Sequence, residues 1–277
     1  MTTADPNGRN VREEDDATVS LLRDDPSAID LWIVDLDRWS DDGTAPGSVS
    51  ALDRAASSRI RDAVTARRLL ARRSATRQVI GSVLGLSADE VTIARSCPRC
   101  GSTEHGRPNV PGTSVRFSVA ASGAVAIVAV LRATVLVPQD GSDGGSPDGS
   151  DGGSGIGIDV ELVVPEAVRP QAALSEAERE ALGDLPSTER ITGFLRLWTA
   201  KEAVLKADAR TIADDPSLLD AGELLMADQG RVDGFGTRWF VQRITVPSPG
   251  AIPVIVSVAD RVGAPVYLHH PLVDSAI

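Results

Sequence analysis

Apolar and polar residues follow two different periodicities in the first half of the chain. Residues 29–34 form an apolar run that is typical of a strand, and apolar side chains then recur at helical spacing over residues 48–85. Gly85 is a typical helix end. Two more apolar runs, 115–120 and 124–137, predict strands, and the second is continuous enough to be a buried strand. The predicted order is strand, long helix, strand, strand.

The second half repeats this order. Residues 157–162 alternate as a strand, Ser175 and Glu178 form the capping box of a short helix over 175–182, and a longer helix is predicted over 188–209. The remaining predicted strands are 238–246 and 254–258. We therefore predict an α+β fold built as a pseudo-two-fold pair of similar halves, each a small antiparallel-type sheet packed on a long helix.

Local composition sets the expected boundaries of these halves. Residues 1–27 are polar and acidic and are expected to be a disordered tail. Residues 138–155 consist mainly of Gly, Ser and Asp, which cannot build a core, so they are expected to be a flexible insertion. The N-terminal half then covers 28–137 and the C-terminal half 156–277.

Overall charge narrows the classes of partner. The formal net charge of the 277 residues is −11, which argues against general attraction to nucleic acid or to an anionic membrane. Neither a long apolar segment nor a signal-peptide pattern is present, and we expect a soluble cytoplasmic protein. Only three histidines occur, which disfavours histidine-based catalysis and His-rich metal sites.

Two acids on one predicted strand are the first candidates for chemistry. Asp159 and Glu161 are two residues apart, so their side chains point to the same face, while Ile158, Val160 and Leu162 point to the core. Adjacent carboxylates repel each other, and a hard divalent cation such as Mg²⁺ relieves that repulsion. The alternative is an exposed strand face with two solvated acids.

The predicted long helix of the second half carries the next candidates. Trp198, Glu202 and Lys206 are spaced by four and share a helix face. Of the 28 basic residues only Lys201 and Lys206 are lysines, and both lie in this segment. Because an ammonium and a guanidinium are not interchangeable at a phosphate, this concentration indicates function. The alternative is a surface ion pair between Glu202 and Lys206.

These two motifs resemble a known family. GIDVE at 157–161, followed by WTAKEAVLK at 198–206, is similar to the signature of the 4′-phosphopantetheinyl transferases of the surfactin-synthetase-activating type. The HGRP segment at 105–108 and the arginine-rich helix that ends near Gly81 are also similar, so the resemblance spans about residues 29–260. The family is a pseudo-dimer of two α+β halves, as predicted above.

The resemblance implies a role for each matching residue. Asp159, Glu161 and Glu202 would hold Mg²⁺, Glu202 would also be the general base, and Lys206 would act at the phosphate. Residues that would contact coenzyme A are Arg77, Gln78, Arg107, Ser118 and Lys206, with Arg67, Arg68 and Arg72 as weaker candidates. The sequence departs from the family where a phosphate-binding histidine and the serine before it are replaced by Ala121 and Ala120, and where the glycines after Lys206 are missing.

A pair of cysteines lies in the predicted loop 96–112. Cys97 and Cys100 form a CxxC motif, but a structural zinc site needs four ligands and only His105 is nearby. We therefore expect reduced thiols and not a zinc site.

The expected function is a Mg²⁺-dependent transfer of 4′-phosphopantetheine from coenzyme A to a serine of an acyl or peptidyl carrier protein, with release of adenosine 3′,5′-bisphosphate. We also expect a role in secondary metabolite biosynthesis and a monomeric protein. We expect no nucleic acid or membrane partner. The alternatives are a catalytically degenerate relative that binds carrier protein or nucleotide without turnover, and an unrelated Mg²⁺ phosphohydrolase, which leaves WTAKEAVLK unexplained.

Overall fold

A computed structural model provides the fold. It describes residues 25, 27–39, 49–97, 100–103, 106–132, 155–165, 170–246 and 252–269. The expected tail, apart from Asp25 and Ser27, and the expected insertion, apart from Gly155, lie outside the described residues, as does His105. None of the helices in these ranges is both long enough and apolar enough to cross a membrane.

The described part of the first half contains five strands and two helices. In chain order they are β1 (Ile29–Asp35), α1 (Ala51–Ser57), α2 (Ala63–Leu84), β2 (Ala94–Ser96), β3 (Arg107–Asn109), β4 (Arg116–Ser122) and β5 (Val125–Leu131). β5 pairs antiparallel with both β1 and β4. Helix α2 ends at Gly85, whose φ of 69° is the left-handed conformation that glycine adopts most easily.

The described part of the second half contains two α-helices and five strands. They are β6 (Gly157–Leu162), α3 (Glu176–Asp184), α4 (Arg190–Ala207), β7 (Gln229–Gly234), β8 (Thr237–Ile244), β9 (Val254–Asp260) and β10 (Val266–His269). Strands β6 to β9 form one sheet in the order β6-β9-β8-β7, with antiparallel pairs throughout. The Ser175 and Glu178 capping box predicted from the sequence opens α3.

The two halves share one topology. In each, a first strand leads to a long helix and then to further strands, and the first strand pairs with the last of its half-sheet: β1 with β5, and β6 with β9. The predicted α+β fold with two similar halves is confirmed. Alternating residues of both sheets meet in a shared apolar layer, which includes Ile29 from β1, Ile158 from β6 and Val256 from β9. Helix α4 covers the other face of the second sheet.

Three local features differ from the sequence prediction. The predicted helix 48–85 is two helices, because the chain turns at 58–62 and Asp62 caps the start of α2. The predicted loop 96–112 contains β3, which pairs with β2. Strand β10, although it lies in the C-terminal half of the sequence, pairs in parallel with β1 and joins the first sheet.

A buried charged network accompanies the pairing of β10 with β1. The Arg132 guanidinium donates two hydrogen bonds of 2.7 Å to the Asp30 carboxylate, and His269 Nε2 lies 2.7 Å from the same carboxylate. The His269 ring also stacks on Trp32 at 4.6 Å between centroids. These contacts attach the last described strand to the N-terminal sheet.

Candidate active site

The candidate site lies where β6 crosses α4, and the two elements approach each other closely. Gly157 faces the helix backbone: a Cβ atom at this position would be 1.9 Å from the Ala203 carbonyl oxygen. Gly155 has a similar position, because its Cβ would be 2.3 Å from the Ala207 carbonyl oxygen. Glycine at these positions therefore permits the close packing that brings the acids of β6 to the side chains of α4.

Asp159 is the most buried of the candidate acids. Its Oδ1 accepts a 2.6 Å hydrogen bond from Lys206 Nζ, and Lys206 also donates to the Ile158 carbonyl oxygen at 3.1 Å. The other carboxylate oxygen, Oδ2, is buried and has no hydrogen-bond partner among the residues that the structure describes. Burial raises the pKa of Asp159, and the neighbouring Lys206 only partly opposes this effect.

Glu161 lies two residues further along the same strand face. Its Oε2 accepts a 2.9 Å hydrogen bond from the Ser122 hydroxyl of β4. Burial and the charge of Asp159 raise the pKa of Glu161, whereas hydrogen bonds from Ser122 and from the Trp198 side chain lower it. This carboxylate thus lies between the two halves of the fold, with its hydrogen bond to Ser122 of the first half.

Glu202 completes the group from α4. Burial is the largest cause of its raised pKa. Repulsion from Asp159 and Glu161 raises the pKa further, while Lys206 opposes these effects. Asp159, Glu161 and Glu202, called the acidic trio below, are therefore close enough to disfavour one another's ionisation. The predicted shared face of Trp198, Glu202 and Lys206 agrees with these contacts.

The donor chemistry of the acidic trio fits a hard divalent cation. All of its donors are oxygens, their charges repel one another, and Asp159 Oδ2 is a buried acceptor with no described partner. Within the described ranges, however, no three His, Cys, Asp or Glu side chains form a ready metal site.

Arg107 reaches the same end of α4 from β3. Its guanidinium donates to the carbonyl oxygen of Ala207, the residue after Lys206. Its Nε is buried and lacks a hydrogen-bond partner in the described part of the chain. Burial, together with the nearby Arg116, lowers the pKa of Arg107. A partly buried cation therefore lies at the end of α4 that carries Lys206.

Three of the candidate arginines of α2 have carboxylate partners. Arg77 forms a 2.7 Å ion pair with Asp53 of α1, and Arg67 and Arg68 contact Asp37. These partners give the three arginines a structural role between α2 and the segments that pack on it.

Arg72 of the same helix has a different environment. Burial and the positive charges of Arg73 and Arg95 lower its pKa. Within the described ranges no carboxylate pairs with Arg72. Gln78 lies half-buried further along α2.

The segment of β4 that departs from the family pattern has two faces. The Ser118 hydroxyl, predicted to contact coenzyme A, accepts a 3.2 Å hydrogen bond from the backbone N–H of Ile158 in β6. Ala121 lies on the other face, beside an apolar cluster that includes Ala71 and Ala75 of α2. The contact that the structure gives Ser118 is thus between strands, and Ala121 faces the arginine-bearing helix.

Lys201 has a different environment from Lys206. It is fully buried and donates to Glu178 at 2.5 Å, to the Ala173 carbonyl oxygen at 3.0 Å and to the Pro216 carbonyl oxygen at 3.1 Å. Burial lowers its pKa, and the hydrogen bond to Glu178 opposes that shift. The two lysines of the sequence therefore have different positions: Lys206 lies at the acidic trio and Lys201 in the core.

Two residues that shape the site are not predicted as such from the sequence. Ser122 has no part in the sequence prediction, and Gly157 enters it only as the first letter of GIDVE. A glycine placed directly before the alternating acids was the available signal for close packing on a helix. No local signal predicted the Ser122 contact, because its partner lies on a strand of the other half.

Comparison with known proteins gives one family match. Residues 155–231 match the family model described as the 4′-phosphopantetheinyl transferase superfamily. The matched segment includes β6 and α4, so it contains the acidic trio, Lys201 and Lys206. No curated protein matches the chain. The match supports a transferase of the phosphopantetheine group in general.

Proposed function

We propose that this protein transfers 4′-phosphopantetheine from coenzyme A to a serine of an acyl or peptidyl carrier protein, with Mg²⁺, as transferases of the surfactin-synthetase-activating type do. One observation carries the proposal. Within the segment that matches the superfamily model, three carboxylates that disfavour one another's ionisation lie next to the ammonium group of Lys206. Such a group of charges would bind a divalent cation together with a pyrophosphate.

In the proposed reaction the carrier serine oxygen attacks the β-phosphorus of coenzyme A. A new P–O bond forms to the serine, the bond from phosphorus to the bridging pyrophosphate oxygen breaks, and adenosine 3′,5′-bisphosphate leaves. Glu202, directly or through a water molecule, accepts the serine proton. Its raised pKa suits this role, because a base works best when its pKa is near the working pH.

Asp159, Glu161 and Glu202 would hold the Mg²⁺. Bound there, the ion would neutralise charge on the pyrophosphate and favour departure of the leaving group. The protein's own residues would supply the positioning. Lys206 uses two of its three N–H donors on Ile158 and Asp159, and the third has no partner in the described part of the chain, so it is available to a phosphate oxygen.

Further cations would bind the rest of coenzyme A. Arg107 lies at the end of α4 with an N–H that no described residue accepts, and neither Arg72 nor the neighbouring Arg95 has a carboxylate partner among the described residues. Phosphate groups bind well to such guanidinium groups. The proposed roles of Arg77 and Ser118 are weaker, because the contacts described above give both residues structural partners. The proposed role of Gln78 rests on the resemblance alone.

Intact mass measurement tests the proposal. The protein would be incubated with coenzyme A, Mg²⁺ and a panel of apo acyl and peptidyl carrier proteins. We expect one carrier to gain the mass of one phosphopantetheine group and Glu202→Gln to abolish the gain. Glu189→Gln is the matched control, because Glu189 precedes α4, is exposed and makes no side-chain capping bond.

The competing function is binding without turnover. The absence of the family histidine at Ala121 favours it, because a phosphate contact is then missing. Coenzyme A or a carrier would then bind with no change of carrier mass, and that result with the whole panel would contradict the proposed transfer. Coenzyme A hydrolysed without a carrier would instead support the phosphohydrolase.

A further inference from the structure

Two serines of β4 connect the two halves beside the acidic trio. β4 is an edge strand of the first sheet and β6 an edge strand of the second. The Ser118 hydroxyl accepts from the Ile158 N–H at 3.2 Å, and the Ser122 hydroxyl accepts from the Leu162 N–H at 3.2 Å. The two serines therefore make the same backbone contact, four residues apart.

Of these two serines, Ser122 makes an additional contact with a carboxylate. A serine hydroxyl has one proton to donate, and the Ser122 hydroxyl donates it to Glu161 Oε2 at 2.9 Å. Because the Leu162 N–H already occupies one lone pair of the Ser122 oxygen, the hydroxyl is fixed in position when it meets Glu161. Each carboxylate oxygen has two lone pairs, so Glu161 keeps acceptor capacity for a cation.

Glu161 has a second neighbour on its opposite side. The Trp198 side chain of α4 lies close enough to this carboxylate to lower its pKa. The glutamate thus lies between a strand of the first half and the helix of the second. The hydrogen bond from Ser122 restricts this long side chain, with its several rotatable bonds, before any ligand binds.

We infer that Ser122 is a positioning residue, which presets the Glu161 carboxylate for a divalent cation and so makes the N-terminal half part of the metal site. The inference rests on the proposed function, because it takes Glu161 as a cation ligand. Groups that orient a metal ligand commonly affect affinity strongly, even though they never touch the ion.

Binding of Mn²⁺, as a spectroscopic substitute for Mg²⁺, tests this role without measuring catalysis. Free Mn²⁺ would be quantified by electron paramagnetic resonance during titration of the full chain, with and without coenzyme A. We expect Ser122→Ala to weaken Mn²⁺ binding about 10- to 100-fold, the usual range for the loss of a ligand-orienting group. Ser122→Thr keeps the hydroxyl and should restore most of the affinity.

Ser118→Ala is the matched control in the titration without coenzyme A, because Ser118 is itself a candidate contact of coenzyme A. It removes the same type of hydrogen bond between β4 and β6 but leaves the Glu161 contact intact. If the role of Ser122 were only to join the strands, both alanine variants would change Mn²⁺ binding equally, and that result would overturn the inference. Urea unfolding of both variants reports the shared structural contribution separately.

The outcomes also separate this inference from the proposed function. If the wild type binds Mn²⁺ and Ser122→Ala binds it equally well, the role of Ser122 is refuted while the metal site stands. If the wild type binds no Mn²⁺ in the presence of coenzyme A, the metal assignment fails and the inference fails with it. Weaker binding by Ser122→Ala alone, restored by Ser122→Thr, supports the inference.

Discussion

The substitution Gly157→Ala tests how the site is assembled. The added methyl group would be 1.9 Å from the Ala203 carbonyl oxygen and 2.6 Å from the Ala207 nitrogen. Both atoms belong to the backbone of α4, which cannot rotate away as a flexible side chain can. The strand and the helix must therefore separate.

The size of the effect follows from these distances. An ordinary van der Waals contact begins near 3.4 Å, so the separation at this point must grow by about 1.5 Å. Overpacking costs roughly 1–3 kcal/mol, and rigid neighbours place this variant near the upper end of that range. The 2.6 Å contact from Lys206 to Asp159 crosses the same interface. Because a displacement of about 1 Å of reacting groups can cost about 100-fold in rate, we expect a loss of that order in phosphopantetheine transfer.

Two measurements check this prediction. Urea unfolding gives the change in the free energy of unfolding, and carrier mass measurement gives the transfer rate of the folded protein. Gly183→Ala in α3 is the control, because a Cβ there has nothing within 4 Å. As a glycine inside a helix, its replacement should stabilise the protein by about 0.5–1 kcal/mol. Wild-type stability and activity in Gly157→Ala would show that close contact between β6 and α4 is not required.

Further predictions concern charge at the site and in the core. Glu202→Gln should raise the melting temperature in metal-free buffer while it abolishes transfer, because it removes a buried charge that its neighbours repel; an unchanged or lower melting temperature would contradict this. The pH dependence has a definite sign. A carboxyl group whose pKa is raised in the fold contributes most stability below its unfolded pKa of about 4 and loses that contribution as pH rises through its folded pKa. The stabilisation by Glu202→Gln should therefore vanish near pH ~4 and grow above it, as thermal unfolding at several pH values would show. Lys201→Met should cost about 3–5 kcal/mol in urea unfolding, because it leaves Glu178 buried without its charged partner; a small cost would mean that Glu178 finds another partner or a proton. Ala121→His should lower the KM for coenzyme A if the position faces a phosphate, and equal or weaker coenzyme A binding by calorimetry would show that the arginines already make this contact.

Local patterns of the chain are enough to predict the elements and part of the site. Period-two alternation placed Asp159 and Glu161 on one strand face, and a spacing of four placed Trp198, Glu202 and Lys206 on one helix face, in agreement with the contacts of the structure. The helix end at Gly85 and the repeated order of elements were also predictable. These features depend on neighbours within a few residues, which the sequence displays directly.

The partners of these side chains depend instead on how distant segments pack. Lys201 and Lys206 are the two lysines of the sequence. Lys201 pairs with Glu178 in the core, whereas Lys206 pairs with Asp159 at the site. Ser122 contacts Glu161 across 39 positions of the chain, and β10 reaches β1 from the far end. The periodicity of one segment fixes which of its faces is buried, but it does not specify the side chain that another segment will bring to that face.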